Sequence, residues 1–151
     1  GRPSARVDRA SKKETVIAMN SALVATSSEL YLQKRYSTLP KLSLKLPIIV
    51  ESFPKKTKDI LSLLKNILGE AFSHALKKKT VRSGKGKLRG RKYKSNAGIL
   101  IVTGKKEKMK TKNFSVKNME NLGISDLAEG GPGRITIYTE QAINDLQEKF
   151  K

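Results

Sequence analysis

Between residues 57 and 69 the apolar positions Ile60, Leu61, Leu64, Ile67 and Leu68 fall on one side of a 3.6-residue repeat. This spacing predicts an amphipathic helix, with Thr57 placed to cap it, Asp59 in its first turn and Gly69 to end it. A second helix is predicted over about 11 to 27. Ser11-Lys12-Lys13-Glu14 has the Ser-x-x-Glu spacing of a capping box, and Val16, Met19, Ala22 and Leu23 follow at helical intervals. A third begins at a capping Thr139 and carries Ala142, Ile143, Leu146 and Phe150, and a shorter helical piece is expected over about 70 to 78. The strand candidates are short and rich in β-branched residues. They are Leu46-Pro47-Ile48-Ile49-Val50, with its proline near the start where a strand tolerates one, then Ala97 to Thr103, a short run around Phe114 to Val116, and Arg134 to Tyr138. Residues 28–45 contain Tyr31, Leu32, Leu39, Leu42 and Leu44 without a clean period.

Strands alternating with helices predict an α/β sandwich with a small, mostly parallel sheet. Residues 11–151 make up a single α/β domain, preceded by a basic, extended arm over residues 1–10 that contributes Arg2, Arg6 and Arg9. No internal repeat is present. The 151 residues are 37% apolar, with four Phe, four Tyr and no Trp, so the core has to come from Leu, Ile, Val and Ala.

Charge changes the picture most. Thirty-two Lys and Arg stand against thirteen Asp and Glu, for a net charge of +19. Residues 1–117 hold 29 cations and 7 acids, whereas residues 118–151 hold 3 cations and 6 acids. Self-repulsion on this scale calls for a polyanionic partner, met by one face of the molecule. No apolar run approaches the length that spans a bilayer, and glycines interrupt the longest cation cluster where a membrane-surface helix would need continuity, so RNA or DNA is favoured over a membrane. The absence of cysteine removes disulfides, thiolate metal sites and thiol catalysis, and fits a cytoplasmic protein.

The densest cluster is residues 77–94, with ten cations in eighteen residues and no acid. Its glycines, Gly84, Gly86 and Gly90, allow the backbone to approach a phosphate closely. Arg82, Arg89 and Arg91 offer planar forks to phosphate or a guanine edge, while Lys85, Lys87, Lys92 and Lys94 supply point charge. Tyr93 could stack on an unpaired base. A solvated basic loop is the plainer alternative. Neither glycine loop is a nucleotide site. Gly84-Lys85-Gly86-Lys87 lacks the Walker spacing, and Gly130-Gly131-Pro132-Gly133 precedes a strand, whereas the dinucleotide fingerprint follows one. The second loop, with Arg134, could grip a backbone phosphate or be a plain tight turn. Catalytic constellations are missing. His74 is the single histidine and reads as a packing or solvent-facing residue. Asp145 and Glu148 read as a solvated helix face, and Asp126 and Glu129 flank the second glycine loop. No cofactor, metal or small-molecule substrate is expected, and no enzyme activity.

Three stretches together resemble the archaeal-type form of the large-subunit ribosomal protein L-four family. They are Lys12-Lys13-Glu14 through Ser21-Ala22-Leu23-Val24-Ala25-Thr26, the basic run Arg82 to Tyr93, and Asp126-Leu127-Ala128-Glu129-Gly130-Gly131-Pro132-Gly133-Arg134 through Glu140. The resemblance implies a three-layer α/β/α sandwich that binds large-subunit rRNA beside neighbouring ribosomal proteins and helps organise the peptide exit tunnel region. It also implies rRNA contacts at Arg82, Lys85, Lys87, Arg89, Arg91, Lys92 and Tyr93, with Arg134 a further candidate. A free-standing RNA-binding assembly or regulatory factor on the same scaffold is the alternative. The family carries an N-terminal strand and a long internal extension upstream of the matched region, so residues 1–10 are expected to be the returning end of that extension. Glu129 departs from the family, standing where it often has proline, and the glycine loop is one residue shorter.

Overall fold

A computed structural model describes residues 11–37, 45–54, 56–107, 109, 111 and 113–150. The basic arm with Arg2, Arg6 and Arg9 lies outside the described residues, as do Leu39, Leu42 and Leu44. In chain order the elements are helices α1 (Lys12–Ser27) and α2 (Glu29–Arg35), strand β1 (Ile48–Val50), helix α3 (Thr57–Leu68), a 3-10 turn (Gly69–Ala71) and helix α4 (Phe72–Ala75). Strands β2 (Lys79–Val81) and β3 (Tyr93–Ser95) follow, enclosing a 3-10 turn (Lys85–Lys87). After them come β4 (Leu100–Thr103), β5 (Ser115–Asn118), a 3-10 turn (Met119–Asn121), α5 (Ile124–Leu127), β6 (Thr136–Thr139) and α6 (Glu140–Phe150).

The main sheet has the order β1-β6-β4-β5, and its three pairings are all parallel. Its central strands β4 and β6 are buried along their whole length, as parallel strands covered on both faces should be. Side-chain alternation divides the core in two. Ile101 and Ile137 pack with Ile60, Leu64 and Leu68 of α3 and with Leu32 of α2. Leu100, Val102 and Tyr138 pack with Met19 of α1 and Ala142 of α6.

Local signals placed several boundaries. The Ser11 hydroxyl accepts from the Glu14 N–H at 3.3 Å and the Glu14 carboxylate accepts from the Ser11 N–H at 2.8 Å, closing the capping box on α1. Thr139 Oγ1 accepts from the Ala142 N–H at 3.2 Å and starts α6. At α3 the expectation was one residue off. Lys56 occupies the capping position without a side-chain bond, and Thr57 is the first helical residue. The helical piece expected over 70 to 78 is shorter, a 3-10 turn running into α4, with Leu76 already extended. Residues 79–81, expected in a basic loop, form β2, and α2 occupies part of the stretch that lacked a period.

One polar bond ties α1 to the sheet. The Thr26 hydroxyl donates to the Leu23 carbonyl at 2.7 Å, so across its 2.8 Å bond with Tyr138 the phenol must be the donor. Burial pushes the Tyr138 phenol above its ordinary value. Because the folded form holds its proton more tightly, this contribution is complete below about pH 10 and is lost as pH rises through the raised folded value. Tyr138→Phe is expected to cost about 1 kcal/mol near neutrality. It should also lack this part of the alkaline decline, as read by urea unfolding across a pH series.

Candidate nucleic-acid interface

The basic segment is built as a hairpin standing off the main sheet. β2 and β3 pair antiparallel, with Lys79 opposite Ser95, Thr80 opposite Lys94 and Val81 opposite Tyr93. The pairing continues one step outward, where the Arg82 N–H donates to the Lys92 carbonyl at 2.8 Å. The Arg91 N–H donates to the Gly86 carbonyl at 3.0 Å and draws the tip together. Gly84 and Gly90 turn with φ of +77° and +74°, a region that side chains other than glycine's adopt only with strain. Gly86 serves a different purpose, since a Cβ there would sit 2.9 Å from Cδ of Arg82, whose side chain lies across the turn.

The base of the hairpin is pinned to the domain. Asn96 Oδ1 accepts from the Lys78 N–H at 2.7 Å while its Nδ2 donates to the Leu76 carbonyl at 2.9 Å, bridging the two legs. Just beyond, Gly98 (φ +64°) approaches so closely that a Cβ would lie 3.0 Å from the Ala75 carbonyl oxygen. The Ile99 N–H then donates to that same carbonyl at 2.8 Å.

From this base Arg82, Lys85, Lys87, Arg89, Arg91, Lys92, Tyr93 and Lys94 are all exposed. Among the described residues the ion pairs are Lys105–Glu148, Lys117–Asp126 and Arg134–Glu129, and none draws on residues 77–94. The hairpin therefore brings eight cations of one short segment onto one projection without a carboxylate to neutralise them.

Arg134 is elsewhere and does other work. It is fully buried, and its guanidinium is spent on internal acceptors. Nε–H donates to the Gly98 carbonyl at 2.9 Å, Nη1 to the Asp126 carbonyl at 2.6 Å and the Glu129 carboxylate at 3.0 Å, and Nη2 to the Ala97 carbonyl at 2.6 Å. Burial pushes its pKa down, and the Glu129 carboxylate opposes that by favouring the charged form. The expectation that Arg134 grips a phosphate is corrected accordingly, because no face of the guanidinium reaches the surface. The glycine loop beside it is a seat for α2. A Cβ on Gly133 would lie 2.6 Å from the backbone of Tyr31, and the Arg35 guanidinium donates to the carbonyls of Glu129 and Gly131 at 2.6 and 2.5 Å.

The other singled-out residues are also held internally. Asp126 accepts from the Gly123 N–H at 3.1 Å and pairs with Lys117 at 3.2 Å. Asp145, read as part of a solvated face, accepts from the Lys105 N–H at 2.7 Å and tethers the turn after β4. His74 is half-buried on α4, edge-on to Tyr36 with ring centroids 6.4 Å apart. Among the described residues no group of three His, Asp or Glu converges to hold a metal ion, and no helix is long and apolar enough to cross a membrane. Sequence reasoning missed Arg35 and Asn96. Neither belongs to a local motif, and their acceptors lie roughly twenty to a hundred residues away, as only the fold arranges.

No protein-family model matches the sequence. Individual relatives do. The chain is 36% identical to the Large ribosomal subunit protein uL4 of Methanocaldococcus jannaschii, in an alignment covering 95% of this chain and 60% of that protein. It is 40% identical to uL4 of Thermoplasma volcanium over 91% of this chain and 57% of the relative, and 39% identical to uL4 of Thermoplasma acidophilum over 90% and 56%. The chain belongs to the uL4 family. It spans somewhat over half the length of these relatives. The alignments run through nearly all of this chain, so the hairpin, the glycine loop and Arg134 all belong to the family segment.

Replacing Arg134 leaves buried and half-buried carbonyls, together with Glu129, without their donor. Arg134→Met is expected to lower the unfolding free energy by roughly 3–5 kcal/mol. Arg134→Lys should recover only part of this, because an ammonium lacks the guanidinium's fork. Urea unfolding midpoints of the three proteins provide the check.

Proposed function

We propose that this uL4 segment is a structural, non-catalytic constituent of the large ribosomal subunit in the cytoplasm, and that it binds rRNA through the hairpin of residues 79–95. The observation that carries this reading is the exposed, carboxylate-free run of cations on a hairpin anchored at its base by Asn96 and Gly98. Folded rRNA presents phosphates from several helices to one irregular surface, and a mixture of arginine forks and mobile lysines suits recognition by shape. The relatives' names, each a large ribosomal subunit protein, support the same assignment. We place the function in the region of the peptide exit tunnel, beside neighbouring ribosomal proteins, with residues 1–10 a basic arm that adds Arg2, Arg6 and Arg9 to the RNA-facing charge. The two clusters on opposite faces of the sheet support a three-layer α/β/α sandwich as the platform behind it.

Arg89→Ala and Arg91→Ala are expected to leave the fold intact, since both side chains are exposed and make no ion pair among the described residues. Each should weaken binding to large-subunit rRNA and lower the slope of log affinity against log salt by roughly 0.7–0.9. Filter binding over a salt series, with cosedimentation on washed large subunits, tests both the contact and the setting. Salt-insensitive binding with silent variants would remove the hairpin from the interface, and presence only on precursor particles would favour an assembly factor.

A further inference from the structure

The hairpin has two unlike faces. The Arg82 to Lys92 backbone bond makes those two residues a hydrogen-bonded pair, which leaves Val81 and Tyr93 as the neighbouring non-bonded pair, the arrangement in which opposed side chains lie closest. Side chains alternate across a strand, so Thr80, Arg82, Lys92 and Lys94 share one face, and Lys79, Val81, Tyr93 and Ser95 share the other. The first face is cationic. The second carries an aromatic ring beside a β-branched side chain, and neither is covered, with Val81 55% and Tyr93 57% exposed.

An exposed apolar pair in the middle of eight cations is an odd choice for a surface whose only task is to hold phosphates. It suits a nucleobase. Every base offers a π-face, and stacking on an aromatic ring works without sequence reading, while the surrounding charge holds the strand that carries the base. Lys92 folds its ammonium back to 5.7 Å from the Tyr93 ring centroid, within cation–π range, which steadies the ring and sets a positive charge beside it.

We propose that Val81 and Tyr93 form a platform on which one unpaired RNA base stacks while Arg82 and Lys94 on the opposite face hold phosphates. This rests on the RNA-binding reading above and extends it. The hairpin selects RNA that presents an unstacked nucleotide over continuous duplex.

The test uses the 151-residue chain with two probes, a single-stranded adenosine-rich RNA and a fully paired RNA duplex of the same length. Tyr93→Ala is expected to weaken single-strand binding by roughly five- to 150-fold. The salt slope should not change, because no charge is removed. Duplex binding should hold, and Tyr93→Phe should match the parent protein, since the ring does the stacking. The chain has no tryptophan, so Tyr93→Trp adds a single reporter whose fluorescence should be quenched by the single strand and not by the duplex. If the parent chain binds neither RNA in a salt-dependent way, the RNA-binding reading and the platform fall together. If it binds, and Arg89→Ala lowers the slope, but Tyr93→Ala is silent or weakens both RNAs equally, the platform alone is overturned. Indole fluorescence of the Tyr93→Trp protein that the single strand leaves unquenched would overturn it in the same way.

Discussion

A guanidinium brings five N–H donors and a full charge, and the Arg134 side chain takes them all into the protein interior. Burial at that depth is tolerable only if the donors find acceptors, and here the acceptors are backbone carbonyls from two separated parts of the chain together with Glu129. Those parts are the lead into β4, at Ala97 and Gly98, and the end of α5, at Asp126. Arg134 therefore fixes how the entry to β6 lies against the entry to β4, and the two strands run side by side from that point. Glu129 has its own part in this junction. Its carboxylate supplies a countercharge that opposes the effect of burial on the Arg134 guanidinium.

The same junction sets the direction of the hairpin. Ala97 and Gly98 follow directly on Ser95 and Asn96, so the legs leave the domain where Arg134, Asn96 and the close approach of Gly98 to Ala75 converge. Nothing comparable holds the tip, whose charged side chains are exposed. A rigid base and a charged, outward tip allow a projection to reach into an RNA surface without the domain behind it having to adapt. The glycine loop before β6 contributes by receiving α2, with Arg35 crossing to its carbonyls and Gly133 admitting the Tyr31 backbone. Two arginines, one buried and one half-buried, thus hold the scaffold, while the cations of the hairpin make no ion pair within it.

Charge is divided in the same way. Acids of the C-terminal region that looked available from spacing alone are occupied within the fold. Asp126 holds the start of α5, Asp145 holds the turn after β4, and Glu129 serves Arg134. The cations of the hairpin have no such duty, so a net charge of +19 is expressed largely as an outward field. Folding therefore leaves the repulsion among them unrelieved, and a polyanion would relieve it.

Much of this was determined by short-range patterns. The period of α3, the capping box at Ser11, the cap at Thr139, the apolar runs of β1, β4 and β6, and the exposed basic cluster each depend on neighbours within a turn or a few residues, which is the range over which a sequence can be read. The tertiary structure alone decided the rest. β2 is three exposed residues with no apolar pattern, and it is a strand only because β3 lies beside it. Arg91 and Arg134 look alike in the chain, each directly after a glycine, yet one faces outward and the other is sealed inside. Their fates depend on which carbonyls the fold brings near them, and the acceptors of Arg134 lie some five to forty residues away from it, beyond any local spacing rule.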